Sequence, residues 1–315
     1  MQHAILGPGG VGGLIGGALA RAGHPVTLVV RPEALAAYPH ALTVESAILG
    51  TFEVPAQPVA ALQGPVDVLW VTVKATHLDA ALAAVPPERL GDAVVIPLLN
   101  GVDHMARLRA VYGAERVVAG AIRSDTERVA PGRIVHRLWH VPRPPDGGPL
   151  PPSAPHPVEL AAQGELRPRA EAIAAELTAA GVPCAVRDDE AQLLWSKFVG
   201  IASSGLAAAA AGSASAARAD PELHALTVAA LKAVVAVAAT QGAALDEAPL
   251  LAALDRPPGA SKSSLQRDLE AGRPTELEAY AAPVIREGRA HGIDVSAVEA
   301  LRDRVAARAR ALQRA

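Results

Sequence analysis

The chain has 315 residues, half of them hydrophobic and 19% charged, enough apolar material for two domains of ordinary size with large cores. A net charge of −3 and a pI near 6.4 give no attraction for nucleic acid or an anionic membrane, and aromatics at 3% leave little for base stacking, so the expected ligand is a small molecule. The single cysteine, Cys184, excludes an internal disulfide and a zinc site of several thiolates; the chain start, with no basic segment or long apolar run, reads as that of a cytoplasmic protein.

In chain order, HAILG (3–7) is a short buried strand and a glycine-rich turn leads into a helix near 11–22, followed by a second strand, PVTLVV (25–30). The alternating segment 41–56 reads as a small hairpin. Apolar runs VDVLWVTV (66–73), AVVIPLL (93–99) and RVVAGAI (116–122), separated by helical stretches, predict a parallel sheet buried on both faces. RIVHRLWHV (133–141) is a further strand, and the Pro/Gly-rich 142–157 is a loop or insertion.

After a helix near 167–180 and a strand VPCAVR (182–187), the pattern turns entirely helical. The expected organisation is α/β: an N-terminal Rossmann-type dinucleotide-binding domain over 1–187 and an all-helical C-terminal domain over 188–315. The alanine-rich stretches 198–211 and 223–239 read as buried helices rather than membrane spans. Asp220-Pro221 is a helix start, Thr275 with Glu278 has the spacing of a capping box, and Gly242, Gly272 and Gly292 stand near helix ends.

Gly7-Pro8-Gly9-Gly10-Val11-Gly12 is G-x-G-x-x-G between a strand and a helix. There glycines permit a tight turn, let backbone approach a pyrophosphate and pack helix on sheet, while the helix N-terminus supplies N–H groups and a positive dipole end. The alternative is a glycine-rich turn with no ligand. Arg31 stands at the end of the second strand, where an NAD enzyme usually has an acidic residue; an arginine there forks a 2′-phosphate and favours NADPH, unless it is a solvated surface side chain. Lys74 and Asn100 follow the next two strands. The chain has four lysines among its 29 basic residues and one asparagine, so these positions point to a ligand crevice beyond the strand ends more than to a solvated terminus and a plain Asn-Gly turn.

With GPGGVG (7–12), Arg31, VTVKA (71–75), NGV (100–102), PGRIVH (131–136), LWSKF (194–198), SSLQRD (263–268) and TEL (275–277) before RAHGIDV (289–295), the sequence resembles the ketopantoate (2-dehydropantoate) reductase family through most of its length. The resemblance implies reduction of ketopantoate to pantoate, in pantothenate and coenzyme A biosynthesis, with NADPH. It implies Lys197 as general acid on the ketone oxygen and Glu276 as the residue that orients Lys197 and binds a substrate hydroxyl or the cofactor ribose. Ser264 would hold the substrate carboxylate, Asn100 would lie near nicotinamide and substrate, and Arg31 with Lys74 would bind the adenosine phosphate. A homodimer is compatible with it.

The sequence departs from the family where asparagines usually follow the catalytic lysine: KFVGIASSGLAA has none, and Ser203 and Ser204 are the hydroxyls there. Ser261 and Lys262 stand where another asparagine is usual, and Arg123, where small or hydroxyl residues are usual, offers a fork for a carboxylate. A paralogue acting on another 2-oxo acid, and a non-catalytic NADP(H)-binding sensor, are the alternatives.

Overall fold

The computed structural model describes residues 1–141, 154–256 and 262–314, so most of the Pro/Gly-rich stretch read as a loop, and Ser261, lie outside the described residues. Contacts divide the chain into Met1–Leu99 with His104–Leu193, and Asn100–Asp103 with Leu194–Ala315. The sequence placed a boundary near 187; the contacts divide the chain within helix Glu190–Gly200 and assign Asn100–Asp103 to the second unit.

The first unit carries strands β1 (His3–Leu6), β2 (Val26–Val29), β3 (Ala41–Ser46), β4 (Gly50–Pro55), β5 (Pro58–Val59) and β6 (Val68–Val71). They are followed by β7 (Val94–Pro97), β8 (Ala119–Ile122), β9 (Ser124–Ala130), β10 (Arg133–Trp139), β11 (Val158–Ala161) and β12 (Cys184–Arg187). A five-stranded parallel sheet runs β5-β2-β1-β6-β7. Its β1, β6 and β7 are buried along their whole length, apolar throughout except for His3, whose Nδ1 accepts from Trp70 Nε1 at 3.2 Å. Leu6 pairs with Val29 and Val71, and Val71 with Pro97, so four strands end at one level.

The hairpin over 41–56 forms, β3 antiparallel to β4, and extends into a second sheet, β4-β3-β10-β9. One expectation needs correcting. The run 116–122 was read into the parallel sheet, and Val117 does bridge Val95 in parallel, but β8 then pairs antiparallel with β11 in a separate sheet, β12-β11-β8.

In that third sheet Glu159 is buried and accepts from Arg187 Nε at 2.7 Å on one side and from Arg123 on the other. The carboxylate met by the Arg123 fork is thus one of the protein's own. Removing it leaves two guanidinium groups facing each other with little solvent. Glu159→Ala is expected to destabilise the fold by about 3 to 5 kcal/mol, measured by urea unfolding.

Helix Gly10–Arg21 is packed on both sides, which explains the glycines beyond its first turn. A Cβ on Gly16 would lie 3.0 Å from Ile5 Cγ1 in the parallel sheet, whereas one on Gly13 would lie 2.5 Å from Ile134 Cδ1 and one on Gly17 2.7 Å from Val44 Cγ2 in the second sheet. Their missing side chains let one helix fit closely between two sheets.

The second unit is helical. Its long helix Pro221–Thr240 starts where Asp220-Pro221 predicts, with the Asp220 carboxylate accepting from the N–H groups of Glu222 and Leu223. It buries Leu231, Val234 and Val237, and the helices Leu277–Ala290 and Ser296–Arg314 pack on it. By length and composition Glu190–Ala211 and Pro221–Thr240 are apolar enough to cross a membrane. The expected capping box at Thr275 is absent: Glu276 is the N-cap of Leu277–Ala290 and makes no side-chain cap. A full box forms instead at Ser263 and Gln266, heading helix Ser264–Glu270.

Candidate functional site

Beyond β1 the chain turns through Gly7, whose φ of +83° suits glycine. Gly7 N–H donates to the Val29 carbonyl at 3.1 Å, and Gly9 N–H to the Gly7 carbonyl at 2.7 Å. Thr72 fastens the turn from the neighbouring strand end, its hydroxyl lying 3.1 and 2.9 Å from the carbonyls of Leu6 and Gly7. A Cβ on Gly7 would fall 2.4 Å from Val73 Cγ1, and one on Gly12 2.2 Å from Thr72 Oγ1 and 2.8 Å from the Gly7 carbonyl. Both glycines are fixed by protein packing.

Gly9 differs. Among the described residues its Cβ position has one neighbour within 4 Å, the Gly7 carbonyl at 3.9 Å, so the backbone is open there. Gly9 is also the N-cap of helix Gly10–Arg21, which no side chain caps, leaving first-turn N–H groups and the positive dipole end for a ligand. An open backbone position and an uncapped helix N-terminus are the features a dinucleotide pyrophosphate requires. Gly12→Ala should destabilise the fold by about 1 to 3 kcal/mol through overpacking. Gly9→Ala should leave the melting temperature unchanged yet weaken dinucleotide binding, a contrast read by thermal melts and fluorescence titration.

Arg31 lies two residues past β2, at the N-cap of a short helix, its side chain 70% exposed and 3.5 Å from Glu33. Lys74, half-buried, follows β6 at the N-cap of a single 3₁₀ turn. β2 and β6 flank β1, so the glycine turn, Arg31 and Lys74 share one edge of the sheet, where the strand order reverses. Ligands of open α/β sheets bind at such a switch point.

The other predicted residues belong to the second unit; two of them meet at Tyr280, which sequence reasoning missed, and the charge of a third acts on it. Asn100 Nδ2 donates to the Tyr280 hydroxyl at 3.1 Å, and Ser264 Oγ lies 3.4 Å from the same oxygen. Glu276, 5% exposed, precedes Tyr280 by one helical turn. Burial first, and the Glu276 charge second, push the Tyr280 phenol far above its usual value. Asn100 is pinned from behind: Gly101 has φ +90° with its Cβ position 2.9 Å from the Ala279 carbonyl, and Asp103 takes a two-pronged bond from Arg286 at 2.8 and 2.9 Å.

Lys197 is half-buried on helix Glu190–Gly200, and the π-helical turn Ile201–Gly205 after it packs against Leu277–Ala290, the helix that begins beside Glu276. π-turns inside helices often mark functional positions. The Ser203 and Ser204 hydroxyls donate back to the carbonyls of Val199 and Gly200 at 2.6 and 2.9 Å. Tyr280 did leave a signal: it is one of three tyrosines in the chain and stands four residues after Glu276, on the same helical face.

A parallel sheet with a glycine turn at its switch point is a Rossmann-type architecture, here with a helical second unit. The model described as "Ketopantoate reductase PanE/ApbA" matches residues 3–141, and "Ketopantoate reductase PanE/ApbA C terminal" matches 189–309. The chain is 32% identical over 305 residues to the 2-dehydropantoate 2-reductase of Caulobacter vibrioides, covering 92% of this chain and 93% of that one. A PanE/ApbA family ketopantoate reductase from Ralstonia eutropha JMP134 superposes with TM-score 0.80 at 26% identity, over 99% of this chain and 100% of that one. D-mandelate dehydrogenase, solved with NADH and anilino(oxo)acetate, shares the fold with TM-score 0.83 at 19% identity, over 99% of each chain. The chain belongs to the ketopantoate reductase family, whose named relatives are oxidoreductases of small molecules.

Proposed function

We propose that the protein reduces the ketone of a 2-oxo acid with NADPH, and that 2-dehydropantoate is its substrate. The observation that carries this reading is the meeting of Asn100 and Ser264 on the buried Tyr280 hydroxyl, one helical turn after the buried Glu276, in a chain that also holds an open glycine turn at a sheet switch point.

The turn Gly7-Pro8-Gly9-Gly10-Val11-Gly12 would hold the pyrophosphate, Arg31 and Lys74 the phosphate of the adenosine half, and Asn100 the neighbourhood of the nicotinamide. When bound, the cofactor supplies the hydride that reaches the carbonyl carbon. Ser264 holds the substrate carboxylate. Lys197 Nζ gives a proton to the ketone oxygen as negative charge builds there, and Glu276 orients that ammonium group and accepts from a substrate hydroxyl.

A second reading, a different 2-oxo acid, is favoured by the turn after Lys197, where the Ser203 and Ser204 protons go to the helix's own carbonyls. A panel of 2-oxo acids tests both, with NADPH oxidation followed and products identified. The first reading expects 2-dehydropantoate to have the highest kcat/KM. A higher value for another 2-oxo acid selects the second, and cofactor binding without turnover on any member contradicts both.

A further inference from the structure

We propose that Tyr280 is a positioning residue that sets the direction of a hydrogen-bond chain running Asn100 to Tyr280 to Ser264, so that Ser264 turns its proton outward to the substrate carboxylate. This rests on the reading of Ser264 given above and goes beyond it by naming what makes that serine a donor.

An amide nitrogen only donates, and a phenol has one proton. With Asn100 Nδ2 donating to the Tyr280 oxygen at 3.1 Å, the Tyr280 proton is left for another acceptor, and Ser264 Oγ stands 3.4 Å away. A serine hydroxyl that accepts from Tyr280 keeps its own proton for a further partner. The chain therefore ends in a donor, which bonds a carboxylate more strongly than the neutral carbonyl of an ester. The 3.4 Å separation is long for two hydroxyls and shortens as an anion draws the serine proton outward, because linked hydrogen bonds polarise one another.

Both ends of the chain sit on fixed supports. Asn100 is held through Gly101 and the Asp103–Arg286 pair, and Ser264 opens a helix fixed by the Ser263–Gln266 capping box. Tyr280 is 4% exposed, and burial beside Glu276 keeps its phenol protonated. It is accordingly a poor proton source for the ketone oxygen, and that role stays with Lys197. Glu276 is the competing acceptor for the Tyr280 proton.

Tyr280→Phe removes the relay and keeps the ring. With the 2-oxo acid it should raise KM about tenfold while kcat stays within about threefold, and preference for the acid over its methyl ester should fall by a similar factor. The double variant with Ser264→Ala should be no worse than Ser264→Ala alone, since both remove one chain. Asn100→Asp, which keeps the tyrosine, should lower the same acid-over-ester preference because the new carboxylate claims the Tyr280 proton; it replaces Tyr280→Phe as the test should that variant fold poorly.

Additive losses with an unchanged acid-to-ester ratio overturn the proposal, and so does a shifted pH profile of kcat in Tyr280→Phe, which places the proton on Glu276. Those results leave the reductase reading intact. Absence of wild-type turnover on every 2-oxo acid removes that reading and this role with it.

Discussion

Lys197→Ala is expected to lower kcat by about 10²- to 10⁴-fold while NADPH affinity stays within a few-fold of wild type. The separation follows from where the residues lie. Lys197 belongs to the helical unit, whereas Gly7 to Gly12, Arg31 and Lys74 belong to the sheet unit, so removing the ammonium group leaves the cofactor cradle untouched. A ketone oxygen gaining charge in a half-buried site needs a proton or a fixed positive charge, and alanine supplies neither. Glu276→Ala should cost substrate affinity and rate together, because an orienting carboxylate acts on ground and transition states alike. A lysine that merely extends its charged end to solvent from a helix would change stability slightly and turnover hardly at all. Stopped-flow hydride transfer at saturating substrate checks this, and an alanine variant turning over at the wild-type rate ends the assignment.

Arg31→Asp should weaken NADPH binding roughly 100-fold and leave NADH binding unchanged or improved. Arg31 stands two residues past β2, where the proposed reading puts the adenosine ribose, and aspartate there would replace an attractive fork by a like charge. Its present partner sharpens the expectation. Glu33 lies 3.5 Å from the guanidinium in an exposed pair of little intrinsic worth, so a 2′-phosphate displaces it readily but is also repelled by it. Glu33→Gln should therefore tighten NADPH binding a few-fold. Fluorescence titration with both cofactors decides; equal losses in Arg31→Asp would show that Arg31 does not read the 2′ position.

The parallel sheet and the glycine turn were legible because their signals are local. β6 and β7 are uninterrupted apolar runs, β1 is one after His3, and Asp220-Pro221 carries its own helix start. Strand β9, Ser124 to Ala130, was hidden by its polar sequence, which owes its strand form to β10 and not to an apolar face. β8 looked like a parallel strand because burial, not pairing direction, sets its composition. The glycines of the first turn and helix carried two meanings: the Cβ position of Gly9, at the N-cap, is open, while Gly13 and Gly17 make room for Ile134 and Val44, residues distant in sequence. Asn100 was singled out by its rarity, but its partner, Tyr280, lies 180 residues away, and a contact of that separation leaves no local pattern.

In the proposed reaction the cofactor's hydride reaches the carbonyl carbon of a 2-oxo acid while the protein supplies the proton. Turnover with NADPH deuterated on the transferred face of the nicotinamide tests it directly, with the product examined by NMR. The account predicts one deuterium on the former carbonyl carbon of the 2-hydroxy acid, and none on that carbon when unlabelled NADPH is used in heavy water. Deuterium arriving on that carbon from heavy water, or consumption of NADPH without labelled product, would contradict it.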